Sequence, residues 1–224
     1  MKFIDLNTQY ERIKPQILSN IEKVLDEGNY ILGHQVYELE KQLADYAGRK
    51  YCTSCSNGTD ALLMPLMAMN IGAGDAVFTC PFTFFATAEV ISMLGATPVF
   101  VDIDPQTFNI DPNLLEKEIK KVINKGELTP KAIIPVDLFG YLADYSSLEV
   151  IAERYNLTII EDAAQSFGAS YEGKKSCSFG KVSATSFYPA KPLGCYGDGG
   201  AIFTDDEEMH KLLVSIRVHG QGSD

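Results

Sequence analysis

Apolar residues along the chain follow two periods, and their alternation predicts the order of helices and strands. Near the start, apolar residues three or four positions apart indicate a helix that ends at Gly28. A second helix is predicted between Gly33 and Gly48. Short apolar runs then predict strands at residues 51–54, 76–79, 97–101, 132–136 and 157–160. The helical segments predicted between these strands are 59–69, 84–94, 114–123 and Tyr145–Tyr155.

This order of elements predicts the fold class. Strands that alternate with helices of this length form βαβ crossovers, so we expect an α/β three-layer sandwich with a mostly parallel central sheet. After residue 180 the chain changes to two strands, Val182–Ser186 and 199–204, and a last helix that begins near Asp205. No further structure is predicted over residues 219–224. We therefore expect a helical extension over residues 1–30 and one large α/β domain over residues 31–224.

The composition excludes several classes of protein. Of the 224 residues, 46% are hydrophobic and 22% are charged, the usual proportions of a globular protein. The 19 Lys and Arg residues against 30 Asp and Glu residues give a net charge of −11, which disfavours nucleic acid as a partner. No apolar run approaches the roughly 18 residues of a membrane span, and the N-terminus lacks the apolar core of a signal peptide. We expect a cytoplasmic protein without a membrane partner.

The five cysteines include a C-x-x-C pair, Cys52 and Cys55, where a strand leads into a helix. A zinc site of this type needs a second ligand pair, and neither Cys177 nor Cys195 has a Cys or His at the matching spacing. A helix N-terminus lowers the pKa of a thiol, so a redox pair is one hypothesis. The simpler interpretation is that small side chains fill a tight corner, and we expect no metal.

Candidate binding residues follow the strands, because ligands of open α/β sheets bind beyond the carboxyl ends of the strands. Segment 56–62, SNGTDAL, opens a helix with small residues and free N–H groups, which favours a bound phosphate. The alternative is an ordinary helix cap. Segment 83–87, TFFAT, places a Phe where it can stack on a flat ligand, although packing in the core is the usual role of a Phe.

Two ionisable residues complete this set. Asp162, in the segment EDAAQ, follows an apolar run, where an acid can bind a metal, a ribose or a protonated nitrogen; a solvent-exposed charge is the alternative. Lys191 has Pro, Leu, Gly, Cys and aromatic neighbours, and burial among them would lower its pKa and make it an amine nucleophile or base. An exposed surface lysine is the alternative. Pyridoxal 5′-phosphate (PLP) requires a combination of groups of this kind: a phosphate-binding site, an aromatic ring that stacks on the cofactor, an acid and a lysine with a lowered pKa.

Eight segments, in order along the chain, resemble the DegT/DnrJ/EryC1/StrS family of PLP-dependent nucleotide-sugar aminotransferases, which have the aspartate aminotransferase (fold type I) fold. These segments are GNYILGHQVYELEKQLADYAG, SNGTDAL, PFTFFATAEVI, PVFVDID, PVDLFG, EDAAQSFGA, SFYPAKPLGCYGDGG and RVHGQG. Family members are longer and continue into a small C-terminal domain. The resemblance therefore implies a chain truncated after the PLP-binding large domain.

The resemblance also implies roles for individual residues. Lys191 matches the lysine that forms the internal aldimine, a Schiff base with PLP, and that moves the proton during catalysis. Asp162 matches the acid that pairs with the pyridine nitrogen, and Gln165 matches the residue near the ring 3-oxygen. Phe84 matches the aromatic residue stacked on the ring. The residues that match contacts to the cofactor phosphate are Gly58, Thr59 and Ser186.

The reaction implied by the resemblance is a transamination. Glutamate would give its amino group to the cofactor and leave as 2-oxoglutarate, and the amine would then pass to C3 or C4 of a nucleotide-linked keto-sugar. Some relatives carry His in place of this lysine and act as dehydratases, so Lys191 favours transamination. The implied setting is a homodimer in surface glycan or amino-sugar biosynthesis. The alternative is a catalytically incomplete PLP-binding fragment, or a regulatory, non-catalytic homologue.

Overall fold

The computed structural model describes residues 4–222, which are built around a seven-stranded sheet. The strands are β1 Tyr51–Cys55, β2 Asp75–Thr79, β3 Thr97–Phe100, β4 Thr129–Ile134, β5 Thr158–Asp162, β6 Ser170–Tyr171, β7 Lys174–Lys175, β8 Val182–Ser186 and β9 Gly200–Thr204. The helices are α1 Leu6–Glu27, α2 His34–Ala47, α3 Gly58–Ala68, α4 Ala86–Met93, α5 Pro112–Lys125, α6 Tyr145–Tyr155 and α7 Glu207–Arg217. A short 3-10 turn spans Leu138–Gly140.

The sheet is mostly parallel, which confirms the predicted fold class. Its strands lie in the order β1-β9-β8-β5-β4-β2-β3. Neighbouring strands run parallel except where β9 lies antiparallel to both β1 and β8. The carboxyl ends of the six other strands therefore meet along one edge of the sheet. The hairpin of β6 and β7 was not predicted, because two-residue strands are too short to show a period.

Helices cover both faces of the sheet. On one face, Val77 of β2 belongs to a buried cluster with Leu66 of α3, to which α4 and α7 also contribute. On the opposite face, Phe78 of the same strand belongs to a cluster with Leu115 of α5 and residues of α6, and α2 packs beside it over β1 and β9. Burying each such side chain contributes about 1.5–3 kcal/mol. The predicted three-layer sandwich is confirmed.

Several helix and strand ends differ little from the prediction. Gly28 and Gly48 end the first two helices in the left-handed conformation, with φ of 69° and 76°, which glycine adopts at low cost. Helix α4 begins at Ala86, two residues later than predicted, so the two preceding Phe residues lie in a turn. Strand β5 continues through Asp162, because Asp162 pairs with Ala184 of β8. The prediction over residues 223 and 224 lies outside the described residues.

The first helix is amphipathic as predicted, yet none of its side chains is buried. Ile13, Leu18, Ile21 and Leu25 remain exposed, so the described part of the chain leaves their apolar stripe uncovered. Within residues 4–222, no helix is both long enough and apolar enough to cross a bilayer.

Candidate functional site

The start of α3 lies directly against the end of β8. A Cβ atom built on Gly58 would lie 2.6 Å from Cβ and 3.0 Å from Oγ of Ser186, a distance that real side chains do not tolerate. The absence of a side chain at Gly58 is therefore what allows the two elements to approach. The structure thus brings together two residues that are 128 positions apart in the sequence, at the carboxyl edge of the sheet.

The first turn of α3 presents unsatisfied donors at this edge. Asn57 caps the helix by accepting a hydrogen bond from the N–H of Asp60 at 2.8 Å. The N–H groups of Gly58 and Thr59 find no acceptor within residues 4–222, as expected for the first residues of a helix. Free N–H groups and the positive end of the helix dipole favour an anion here. The helix cap is therefore present, and the same turn leaves two N–H groups free where a phosphate contact is predicted.

Asp162 ends the central strand β5 and is only 4% exposed. Its Oδ2 accepts a hydrogen bond from the Thr87 hydroxyl at 2.9 Å, and its Oδ1 accepts one from the N–H of Ala164 at 3.2 Å. Burial raises the pKa of Asp162, while these two hydrogen bonds and the charge of Lys191 lower it. The alternative of a charge exposed at the mouth of the sheet is wrong.

Lys191 lies in the loop between β8 and β9, and its side chain is half-buried. Its backbone N–H donates to the carbonyl of Tyr188 at 2.8 Å, which closes a turn. Burial lowers the pKa of Lys191, and the negative charge of Asp162 opposes that shift. The structure therefore brings Lys191 within electrostatic reach of Asp162, and the alternative of a freely exposed lysine is wrong.

Two further predicted residues lie at the same edge with their side chains exposed. Phe84 is 72% exposed in the turn before α4, so it is not part of the core. Gln165 lies in the turn after β5 and is exposed. Both side chains are free to contact a bound molecule.

A buried carboxyl network beneath this edge was not anticipated from the sequence. Glu161 is fully buried and accepts hydrogen bonds from the N–H groups of Cys177 and Phe179, at 2.7 and 2.9 Å, and from the hydroxyl of Ser183 at 2.7 Å. Because successive residues of a strand face opposite sides, Glu161 points away from the face on which Asp162 contacts α4.

Asp137 is a second fully buried acid in this network. It accepts hydrogen bonds from the hydroxyl of Tyr145 at 2.9 Å and from the N–H of Ala143 at 3.0 Å. Burial, together with the charge of Glu161, raises the pKa of Asp137 well above its usual range. In the sequence, Glu161 and Asp137 are distinguished only as acidic residues that lie within or beside apolar runs.

The C-x-x-C motif is not a functional pair in this fold. Cys52 packs with α2 on one face of the sheet, whereas Cys55 packs with α3 on the other. Side chains three residues apart on a strand cannot meet to form a disulfide or to bind one metal ion. Burial raises the pKa of the Cys55 thiol to about 12, which disfavours the reactive thiolate form. The redox hypothesis is wrong, and the two cysteines fill space.

The matching family model is described as the DegT/DnrJ/EryC1/StrS aminotransferase family, and it matches residues 11–224. The chain belongs to this family. Members of the family depend on PLP, and among the similar solved structures is ntda from Bacillus subtilis with bound cofactor PMP. That structure is 33% identical with a TM-score of 0.83, and the match covers 96% of this chain and 47% of that one.

Two closer relatives extend the comparison. A Pseudomonas aeruginosa protein named UDP-2-acetamido-2-deoxy-3-oxo-D-glucuronate aminotransferase is 55% identical over 223 residues, which is 99% of this chain and 60% of that protein. The crystal structure of a DegT DnrJ EryC1 StrS aminotransferase from Brucella abortus is 54% identical with a TM-score of 0.98, covering 100% of this chain and 60% of that one. The chain thus spans about 60% of the length of these relatives.

Proposed function

We propose that this chain carries the PLP-binding part of an aminotransferase that moves an amino group from glutamate to a nucleotide-linked keto-sugar. The observation that carries the proposal is the pairing of a half-buried Lys191 with a buried Asp162 at the carboxyl edge of a parallel sheet. A lysine with a lowered pKa beside an acid held inside the fold is a combination that PLP chemistry uses.

The residues at this edge fit the cofactor. The carboxylate of Asp162 accepts two hydrogen bonds from the protein and keeps lone pairs for the protonated ring nitrogen. The N–H groups of Gly58 and Thr59, with the neighbouring hydroxyl of Ser186, would hold the phosphate. The exposed ring of Phe84 would stack on the pyridine, and Gln165 would contact the ring 3-oxygen.

Each residue then has a chemical task. The bound cofactor supplies an aldehyde that takes up an amine and a ring that accepts the electrons of the broken bond. Asp162 would keep the ring nitrogen protonated by placing a negative charge beside it. Lys191 would bind the cofactor, and its amine, whose pKa burial lowers, would take the proton from the amino-bearing carbon and return it. Phe84 would exclude water from one face of the ring.

The relatives guide the choice of substrate and setting. The name of the Pseudomonas aeruginosa relative favours a UDP-linked sugar with a keto group at C3. We assign glutamate as the amino donor and the synthesis of surface glycans as the setting. The five free cysteines suit a reducing cytoplasm.

We also propose that the protein is a homodimer, with residues 1–30 as a helical extension of the domain over 31–224. The exposed apolar stripe of α1 and the absence of buried side chains in this helix support both statements. Sedimentation of the wild-type protein checks the dimer: a monomer at micromolar concentration would refute it.

Borohydride reduction in the presence of PLP tests the assignment of the lysine. We expect the wild type to retain a reduced pyridoxyl group, mapped by mass spectrometry to the peptide that contains Lys191. The Lys191→Ala variant should retain none. Lys117, an exposed lysine of α5, provides the matched control, and Lys117→Ala should label like the wild type. Labelling that persists in Lys191→Ala would refute the assignment.

Turnover tests the reaction itself. The protein is mixed with glutamate and with UDP-2-acetamido-2-deoxy-3-oxo-D-glucuronate, and 2-oxoglutarate is measured. Release that depends on the keto-sugar supports the proposal. Labelling of Lys191 without any turnover would instead support a catalytically incomplete PLP-binding fragment or a regulatory homologue.

A further inference from the structure

Two threonine hydroxyls form a hydrogen-bonded chain that ends on Asp162. The Oγ1 of Thr87 lies 2.9 Å from Oδ2 of Asp162, and the Oγ1 of Thr83 lies 3.0 Å from the Oγ1 of Thr87. Thr87 is buried and Thr83 is half-buried. The sequence did not predict a role for either threonine. We call these two residues the threonine relay.

We propose that the threonine relay is a positioning device, which orients the carboxylate of Asp162 toward a cationic N–H group and offsets the cost of burying its charge. The proposal deepens, and rests on, the proposed pairing of Asp162 with the ring nitrogen of PLP. It assigns to Thr87 a role that acts through Asp162 rather than by contact with the cofactor.

The direction of the two hydrogen bonds follows from the donors available. An ionised carboxylate only accepts, so the single hydroxyl proton of Thr87 points to Asp162. Thr87 can then only accept from Thr83, which makes Thr83 the donor of the second bond. Both protons point toward Asp162, and each bond in such a chain polarises the next. The relay therefore delivers more stabilisation to the carboxylate than an isolated hydroxyl.

The threonine relay also connects Asp162 to the turn that carries Phe84. Thr83 and Thr87 flank the turn that contains Phe84, and the N–H of Thr87 donates to the carbonyl of Phe84 at 3.3 Å. The hydroxyl bond between the two threonines closes this turn from the other side. One five-residue segment thus fixes both the stacking ring and the direction of the carboxylate.

A comparison of two cofactor analogues tests the proposal. PLP and 1-deaza-PLP, which has carbon in place of the ring nitrogen, are titrated against the wild type and three variants. In the wild type we expect PLP to bind more tightly than 1-deaza-PLP. In Thr87→Val, which keeps the shape but removes the hydroxyl, PLP binding should weaken about ten- to a hundredfold, while binding of 1-deaza-PLP stays within about twofold.

Two variants separate this role from a general loss of structure. Thr87→Ser restores the hydroxyl and should recover most of the preference for PLP. Thr79 is also a buried threonine, but it donates to the carbonyl of Ile134 at 2.8 Å, away from Asp162. Thr79→Val should therefore keep the wild-type preference. Far-ultraviolet circular dichroism of each variant checks that it is folded at the titration temperature.

The outcomes distinguish this proposal from the one on which it rests. A Thr87→Val protein that keeps the full preference for PLP would overturn the relay, and so would an equal loss in Thr79→Val. A wild type that binds both analogues equally would refute the pairing of Asp162 with the ring nitrogen, and the relay with it. A loss of preference confined to Thr87→Val and reversed in Thr87→Ser supports the relay.

Discussion

The close approach of Gly58 to Ser186 predicts how much a side chain at position 58 would change the free energy of unfolding. Gly58→Ala would place a Cβ 2.6 Å from Cβ of Ser186, so one of the two elements must shift. Overpacking of this kind costs about 1–3 kcal/mol. Against this, replacing glycine by alanine in a helix gains about 0.5–1 kcal/mol. The difference between the two terms gives an expected loss of about 0–2.5 kcal/mol of unfolding free energy for Gly58→Ala.

Removing the opposing side chain should relieve most of this cost. In a Ser186→Gly background the contacts with Cβ and Oγ disappear, and Cα of residue 186, at 3.3 Å, is the nearest atom that remains. Gly58→Ala should then change the stability of that background by less than about 1 kcal/mol. The coupling energy between the two positions is therefore expected to be about 1–2 kcal/mol, far from the additive behaviour of independent sites.

Urea unfolding of four proteins measures this coupling: the wild type, each single variant and the double variant, followed by circular dichroism without added PLP. Gly72→Ala in the same two backgrounds is the matched control, because a Cβ at Gly72 would meet only the carbonyl oxygen of Leu94 at 3.6 Å. Effects at positions 58 and 186 that add within about 0.5 kcal/mol would refute the reasoning.

Three further predictions concern buried polar groups. Asp137→Asn should change the pH dependence of stability: because the folded pKa of Asp137 is raised, its contribution to stability is complete below about pH 4 and is lost as the pH rises through the raised value. The urea midpoint of the wild type relative to Asp137→Asn should therefore fall between pH 4 and pH 8, and a constant difference would contradict this. Glu40 of α2 and Arg217 of α7 form an ion pair in which the Arg217 side chain is only 11% exposed. Glu40→Ala removes the charged partner of Arg217 and should cost about 3–5 kcal/mol in urea unfolding, whereas a loss below about 1 kcal/mol would show that the pair is dispensable. Cys52 is buried, so it should react with a thiol reagent at pH 7.5 only as fast as the protein unfolds, and a disulfide between Cys52 and Cys55 after mild oxidation would show that the sheet faces are wrongly assigned.

The order of helices and strands could be predicted because each element carries its own apolar period. The short strands β6 and β7 were missed because two residues show no period. Lys191 and Asp162 could be found because each is an ionisable residue in an apolar segment, which is a local signal. Thr87 could not be found in this way, because its partner Asp162 lies 75 residues away and only the fold brings the first turn of α4 to the end of β5.

The opposite orientations of Glu161 and Asp162 have a practical consequence for saturation mutagenesis. Glu161 organises the loop that carries Cys177 and Phe179. Asp162 instead accepts a hydrogen bond from Thr87 and is the acid that we propose pairs with the cofactor. Substitutions at codon 161 should lower the amount of protein that accumulates in cells. Substitutions at codon 162 should spare abundance more often and abolish retention of PLP. Within one library, codon 161 therefore shows the effect of lost folding on protein abundance, and codon 162 shows the effect of lost PLP binding without lost folding.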